Sequence, residues 1–380
     1  LEPLLIQKDR SIYGSIEAPD KGTFIVVRQT HQGVVGNWAG NIVMFDSKRA
    51  YRIEPVTAGA EESMLVARRL EDVICLMPEP AADQKAAMEK AQAERMKAAA
   101  DMELAPPPIA SDWPTYVPTP DYQNGVPPYE SLPGMEAVLY LDFDGDEATG
   151  TGPAGGTTNQ MRDLWERVSE AFSPFNVNVT TDKRVFERAH RWSSQRAVCS
   201  PSSPMPPGAA GWAYVGSFNW DADAACYNAY AFTDCVVNHE LGHTMGLGHD
   251  GPGYYEGHGS AAGGGWAPIM GVGYYYGLNQ WCKGEYLGAN NLQDDLVIVT
   301  GCNLVGARTD EDGGTIPSAL YLETYSNLNF RSWGVINTSN DVDYFRFTLT
   351  NSGTASITGQ VFHVRPCVDM LLTLYNSSSN

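Results

Sequence analysis

Three of the chain's seven histidines fall within eleven positions, in the stretch "HELGHTMGLGHD" at 239–250. Glu240 follows the first of them, and Gly246 stands between His243 and His249. On this composition the five fixed positions of His-Glu-x-x-His-x-x-Gly-x-x-His arise by chance with a probability on the order of one in a hundred thousand. In an α-helix, residues four apart share a face at roughly 6 Å, so His239 and His243 can aim ring nitrogens at one ion. Continuing that helix would carry residue 249 about 15 Å along the axis, far outside a Zn–N bond of about 2.0–2.1 Å. Gly246 sits where the chain has to turn back, because a residue without Cβ takes positive φ at small cost and ends a helix. His249 then closes a three-nitrogen site with a water in the fourth position, the pattern of a catalytic zinc. Glu240 is not needed for coordination. A carboxylate there can accept a proton from that water as it attacks a carbonyl and deliver it to the leaving amine.

The stretch resembles the active-site signature of the metzincin zinc endopeptidases, H-E-x-x-H-x-x-G-x-x-H followed by Asp, at every fixed position through Asp250. The resemblance implies an α+β catalytic domain of the zincin-like type, with a twisted mixed sheet, an active-site helix and one catalytic Zn2+ on His239, His243 and His249. It also implies a Met-turn beneath the metal, and "WAPIMGVGY" supplies Met270, 21 residues after His249. The phrases "YLDFDG", "FSPFNVNVTTD", "YYEGHG" and "QWCKGEY" are similar to a subgroup of secreted, mainly bacterial, metzincin-like peptidases. In that group a pro-region precedes the enzyme and a β-sandwich of the pre-peptidase C-terminal type follows it; "NDVDYFRFTLT" resembles the core of that sandwich. The similarity spans about 135–380. In some metzincin families a Tyr two residues after the Met-turn Met stabilises the oxyanion. Here Val272 holds that place and Tyr274 lies four residues on, either in that role or as packing.

Other side chains carry two readings each. Asp250 either receives a histidine N–H or simply holds its loop. His258 could extend the metal site, though a locally bonded loop histidine fits it better. Asp142, Asp144 and Asp146 alternate in "DFDGDE", which suggests a hard-cation loop; the glycine is misplaced for an EF-hand, so strand-end carboxylates are the preferred account and Ca2+ is possible without being predicted. Cys75 could occupy the fourth zinc position and keep an enzyme latent, but its neighbours Val73, Ile74, Leu76 and Met77 suit a buried strand cysteine. The seven cysteines include no Cys-x-x-Cys pair, which argues against a zinc ribbon and for structural disulfides in an oxidising compartment, Cys282–Cys302 first among them. Asn178, Asn337 and Asn376 open glycosylation triplets of little weight.

The elements that must position these residues fall into segments. Residues 1–104 read as a β-rich pro-region, with runs such as "GTFIVVRQT", "NIVMFD" and "DVICLM", closed by an Ala-rich helix over 81–104. Residues 105–134 form a Pro-rich, semi-rigid linker where a protease meets little resistance. The catalytic domain is expected over 135–307, with "EAVLYLDFDG", "NVNVTTD", "GWAYVGSF" and "NAYAFTD" as strands and "NNLQDDLVIV" as a helix. A further helix is predicted in "TTNQMRDLWERVSEAF", capped by Thr157 or Thr158, with Met161, Leu164, Trp165, Val168, Ala171 and Phe172 on one face. Residues 308–380 read as a cut-short β-sandwich.

A net charge of −20 over 380 residues argues against nucleic-acid or anionic-membrane partners, and no apolar run approaches the roughly 20 residues of a membrane span. "LEPLLIQKDR" shows neither an initiator Met nor a signal-peptide pattern and reads as a processed start. Together these features predict a secreted zinc endopeptidase zymogen acting on protein or peptide substrates, activated by cleavage between Ala105 and Gly134. The competing readings are a catalytically silent zinc-containing adhesion protein and a zinc amidase with a non-protein substrate.

Overall fold

In a computed structural model of the chain, described residues run from 6 to 80 and from 125 to 376 with short gaps, together with 82 and 90. Most of the helix predicted over 81–104 and most of the linker lie outside them. The N-terminal β-runs form six strands: β1 (Ile6–Lys8), β2 (Ser11–Ile16), β3 (Gly22–His31), β4 (Val34–Met44), β5 (Arg49–Pro55) and β6 (Ser63–Arg68). They pair in chain order as an antiparallel meander. One face buries Ile25, Val27, Val43 and Ala50, which pack against Tyr214, Trp220 and Ala222 from the following part of the chain.

The sequence places the next strand, β7 (Ile74–Pro78), with this N-terminal unit. The structure puts it elsewhere. A second six-stranded sheet contains β8 (Val138–Asp142), β9 (Asn178–Thr180), β10 (Ser194–Cys199), β11 (Ala209–Tyr214) and β12 (Cys226–Asn228), in the order β7-β11-β12-β10-β8-β9. β8, β9, β10 and β12 run parallel; β11 runs against β12, and β7 against β11. β7 is thus the edge strand of a mixed sheet, added to β11 through five register partners from Ile74–Tyr214 to Pro78–Ala209.

Helix α1 (Thr158–Ala171) forms where its apolar spacing predicts, with Thr157 as N-cap and Gln160 completing a reciprocal capping box. Its buried face joins Phe172, Phe175, Leu139 and Leu141 in the main core. After the short α2 (Lys183–Arg188), the segment "NAYAFTD" departs from its strand assignment: only Asn228 belongs to β12, and the chain then turns so that Thr233 can lead into helix α3 (Asp234–Thr244). α3 is buried along its whole length, lying across β11 and β12. Beyond it come the parallel pair β13 (Trp266–Pro268) and β14 (Leu278–Gln280), then α4 (Asp295–Thr300).

From 308 onward the described residues hold four short strands, β15 (Leu320–Tyr321), β16 (Glu323–Ser326), β17 (Asn329–Arg331) and β18 (Phe345–Arg346), in two separate pairs. The expected sandwich of two facing sheets is not formed among them. Leu371 and Leu374 are exposed, at 88% and 70%. No described helix is long and apolar enough to cross a membrane.

Candidate metal centre

Helix α3 carries His239, Glu240 and His243 on consecutive turns and stops at Met245. Gly246 follows at φ +103°, and its N–H bonds back to His243 O while Leu247 N–H reaches Gly242 O. A Cβ at Gly246 would meet nothing closer than 3.8 Å, so the left-handed backbone, and not crowding, calls for glycine here. The reversal returns His249 to the helix, with its ring 4.6 Å from that of His243. The three predicted ligands therefore come together.

Their protonation follows from their partners. His239 Nδ1 lies 2.9 Å from Ile269 O and His243 Nδ1 2.7 Å from Leu247 O, so each Nδ1 donates its proton to a carbonyl and each Nε2 is left as a lone pair. Those two Nε2 atoms stand 3.0 Å apart. Burial pushes His239 down to about 3, His249 down to about 4 and His243 well below its ordinary value, so none supplies a proton to separate the lone pairs. Neutral imidazoles with converging lone pairs are what a divalent cation requires of its ligands. Oε2 of Glu240, fully buried beside them, has no hydrogen-bond partner. Burial raises the Glu240 carboxyl; a cation at the focus opposes that shift. The donor set fits a metal.

The fourth member of the group is Cys75, and here the apolar-strand reading is only half the account. Cys75 is buried in β7, yet its Sγ faces the histidines, 3.4 Å from His239 Nε2, 3.2 Å from His249 Nε2 and 3.6 Å from Glu240 Oε1. The ligand atoms of Cys75, His239, His243 and His249 all lie within 4.8 Å of one another. Buried groups are thus positioned to hold a metal ion.

Met270 is fully buried beneath the helix, where a Cβ at Gly242 would fall 2.5 Å from its Sδ. Its carbonyl accepts the Asp250 N–H at 2.9 Å, which ties the Met270 turn to the third ligand. Asp250 does not bond a histidine. Its carboxylate accepts from Tyr286 Oη and the Cys282 thiol, each at 3.2 Å, and so anchors the loop. Asp250, Cys282 and Asp295 make a second close group, knit further by the Cys282 N–H to Asp295 Oδ2.

Tyr274 does not reach the histidines' focus with its hydroxyl, which donates to Pro78 O at 2.9 Å. His258 is exposed and bonds Tyr255 Oη locally. Asp142 and Asp146 both face the Arg196 guanidinium, at 3.2 and 3.6 Å, while the Asp144 N–H caps Asp142. Arg196 supplies the positive charge that the cation-loop reading assigned to calcium. The disulfide expectation is corrected: all seven cysteines are free thiols, Cys282 turned to Asp250 and Cys302 to the carbonyl of Met245. Asn178 is buried and bonded to Glu130, which removes it as a glycosylation acceptor.

Two residues escaped the sequence reading. Gly211 of β11 lies against the general-base candidate, since a Cβ there would stand 2.7 Å from Glu240 Oε1. Its signal is a glycine inside a strand, which marks a close approach. Tyr254 packs at a tilt against His249, ring centroids 4.5 Å apart, and donates to Leu76 O at 2.8 Å. Comparison of the chain with protein-family models, curated proteins and solved structures finds no match.

Proposed function

We propose that the chain is the zymogen of a zinc endopeptidase of the metzincin type, with His239, His243 and His249 as ligands and Glu240 as general base. The observation that carries this is the convergence of the His239, His243 and His249 rings on one focus, the first two buried with Nε2 unprotonated, beside the unpartnered oxygen of Glu240. Three imidazoles suit zinc among the divalent ions, and a fourth position filled by a thiol suits it equally. When bound, the ion supplies Lewis-acid polarisation of the scissile carbonyl and acidification of the attacking water. Glu240 takes a proton from that water as its oxygen bonds to the carbonyl carbon and the carbonyl π pair moves onto oxygen. The same carboxyl then gives the proton to the amide nitrogen as the C–N bond breaks, releasing amine and acid. Met270 supports the helix turn that aims His239 and His243.

Latency follows from β7. It occupies the free edge of β11 next to Glu240, where an extended peptide substrate would add as a strand, and it fills the fourth position with Cys75. Cutting the linker between residues 105 and 134 frees the segment to leave. Secretion belongs to the same proposal and rests on the family resemblance. The test is Glu240→Gln in the linker-cut chain. Peptide turnover should fall by at least about a hundredfold, the range of lost general-base catalysis, while zinc content stays at the wild-type level. Retained turnover, or a wild-type chain that purifies without stoichiometric zinc, contradicts the assignment.

A further inference from the structure

β7 is hydrogen-bonded along both of its edges, and only one of them belongs to the sheet. On the β11 side, Glu79 N–H donates to Gly208 O and Val73 O accepts from Val215 N–H. Because the two polar groups of a peptide unit point in opposite directions, the carbonyl of Pro78 must face away from β11, and by the strand's alternation so must that of Leu76. Those two carbonyls receive the hydroxyls of Tyr274 (2.9 Å) and Tyr254 (2.8 Å). The donors come from separate loops, one after the third ligand and one after the Met270 turn. They are spaced for carbonyls two residues apart, the repeat of any extended chain. Both rings are fixed: Tyr254 lies against His249, and Tyr274 is buried with Val236 and Val272. Both contacts are made to carbonyls of β7; the Tyr254 hydroxyl also interacts with the Cys75 thiol, a contact that the Cys75→Ala peptide below removes.

We propose that Tyr254 and Tyr274 form a main-chain clamp that holds peptide substrates in the lane now filled by β7, binding the carbonyls one and three residues beyond the residue at the catalytic focus. This rests on the hydrolase reading above and assigns its substrate-binding residues. The clamp recognises extended backbone whatever its sequence, so it favours unstructured or loop segments of proteins over folded ones. The substrate runs in the direction of β7, antiparallel to β11.

The test uses the full chain cut in its linker and diluted until the N-terminal fragment dissociates. A labelled peptide of residues 70–80 carrying Cys75→Ala is titrated into wild-type, Tyr254→Phe and Tyr274→Phe proteins. Each loss of one net hydrogen bond should raise Kd about fivefold, and the double variant about 25-fold. A peptide whose residue-76 carbonyl is reduced to a methylene should respond to Tyr274→Phe and be indifferent to Tyr254→Phe, a pattern that a merely structural role for Tyr254 would not produce. With a cleavable peptide, each Phe variant should raise KM about fivefold and leave kcat within about twofold. Unchanged Kd and KM in both variants, or an equal response of the two peptides to Tyr254→Phe, overturns the clamp. The expected Kd pattern in a protein that cleaves nothing would leave the clamp standing as a peptide-binding groove and refute the hydrolase proposal instead.

Discussion

Replacing Cys75 by Ala in the intact chain separates two accounts of latency, because the strand and the thiol obstruct the site independently. β7 pairs with β11 over five register partners, and two tyrosine hydroxyls hold its outer edge. Taking about seven hydrogen bonds at a net 0.5–1.5 kcal/mol each gives roughly 3.5–10 kcal/mol holding the lane shut without any contribution from sulfur. Even the lower figure corresponds to an open fraction on the order of one in several hundred. The uncut Cys75→Ala chain should therefore show less than about 1% of the peptidase activity of the linker-cut wild type, although its fourth ligand is gone. The assay is cleavage of a quenched fluorescent peptide, with each sample checked by gel for an intact linker. If the uncut variant works at a rate comparable to the cut enzyme, the thiol alone is the lock, and the argument from strand occupancy is wrong.

Two further outcomes follow from packing and burial. Gly242→Ala places a methyl 2.5 Å from Met270 Sδ and 3.2 Å from the Trp281 ring, which should cost about 1–3 kcal/mol of overpacking and loosen zinc; thermal unfolding with and without a chelator checks it, and an unchanged Tm and zinc affinity would mean that Met270 does not brace the helix. Glu170 is buried with Oε2 unpartnered and is pushed up from 4.5 to about 7, so its contribution to stability is present below about pH 4.5 and is lost as pH rises through 7. Glu170→Gln should remove a pH-dependent loss of about 3 kcal/mol between pH 5 and 8 in urea unfolding; identical pH profiles for the two proteins would contradict this.

How much of this was legible in the sequence depended on the range of the interaction. The ligand set is a local pattern, in which helical spacing fixes His239 and His243 and one positive-φ glycine fixes the return of His249. Helix α1 was equally readable, since its cap and its apolar face lie within one 16-residue window. Cys75 was not. Its apolar neighbours correctly signal a buried strand, but which sheet receives that strand is decided by pairing with residues more than 130 positions away, and alternation along one strand says nothing about its partner. Tyr254 was missed for the same reason, because its partner is the backbone of β7 and not a motif residue. The disulfide expectation failed because cysteine count alone constrains no distances. The cation-loop reading of Asp142 and Asp146 could not foresee Arg196, which reaches them from the adjacent parallel strand.

X-ray absorption at the zinc edge of the intact, uncut chain tests the centre most directly. One zinc per chain is expected, with three nitrogen neighbours at about 2.0–2.1 Å and one sulfur at about 2.3 Å, the sulfur giving way to oxygen after the linker is cut and the N-terminal fragment removed. A chain that retains no metal, or a bound zinc whose neighbours include no sulfur before cutting, would contradict a site built from His239, His243, His249 and Cys75.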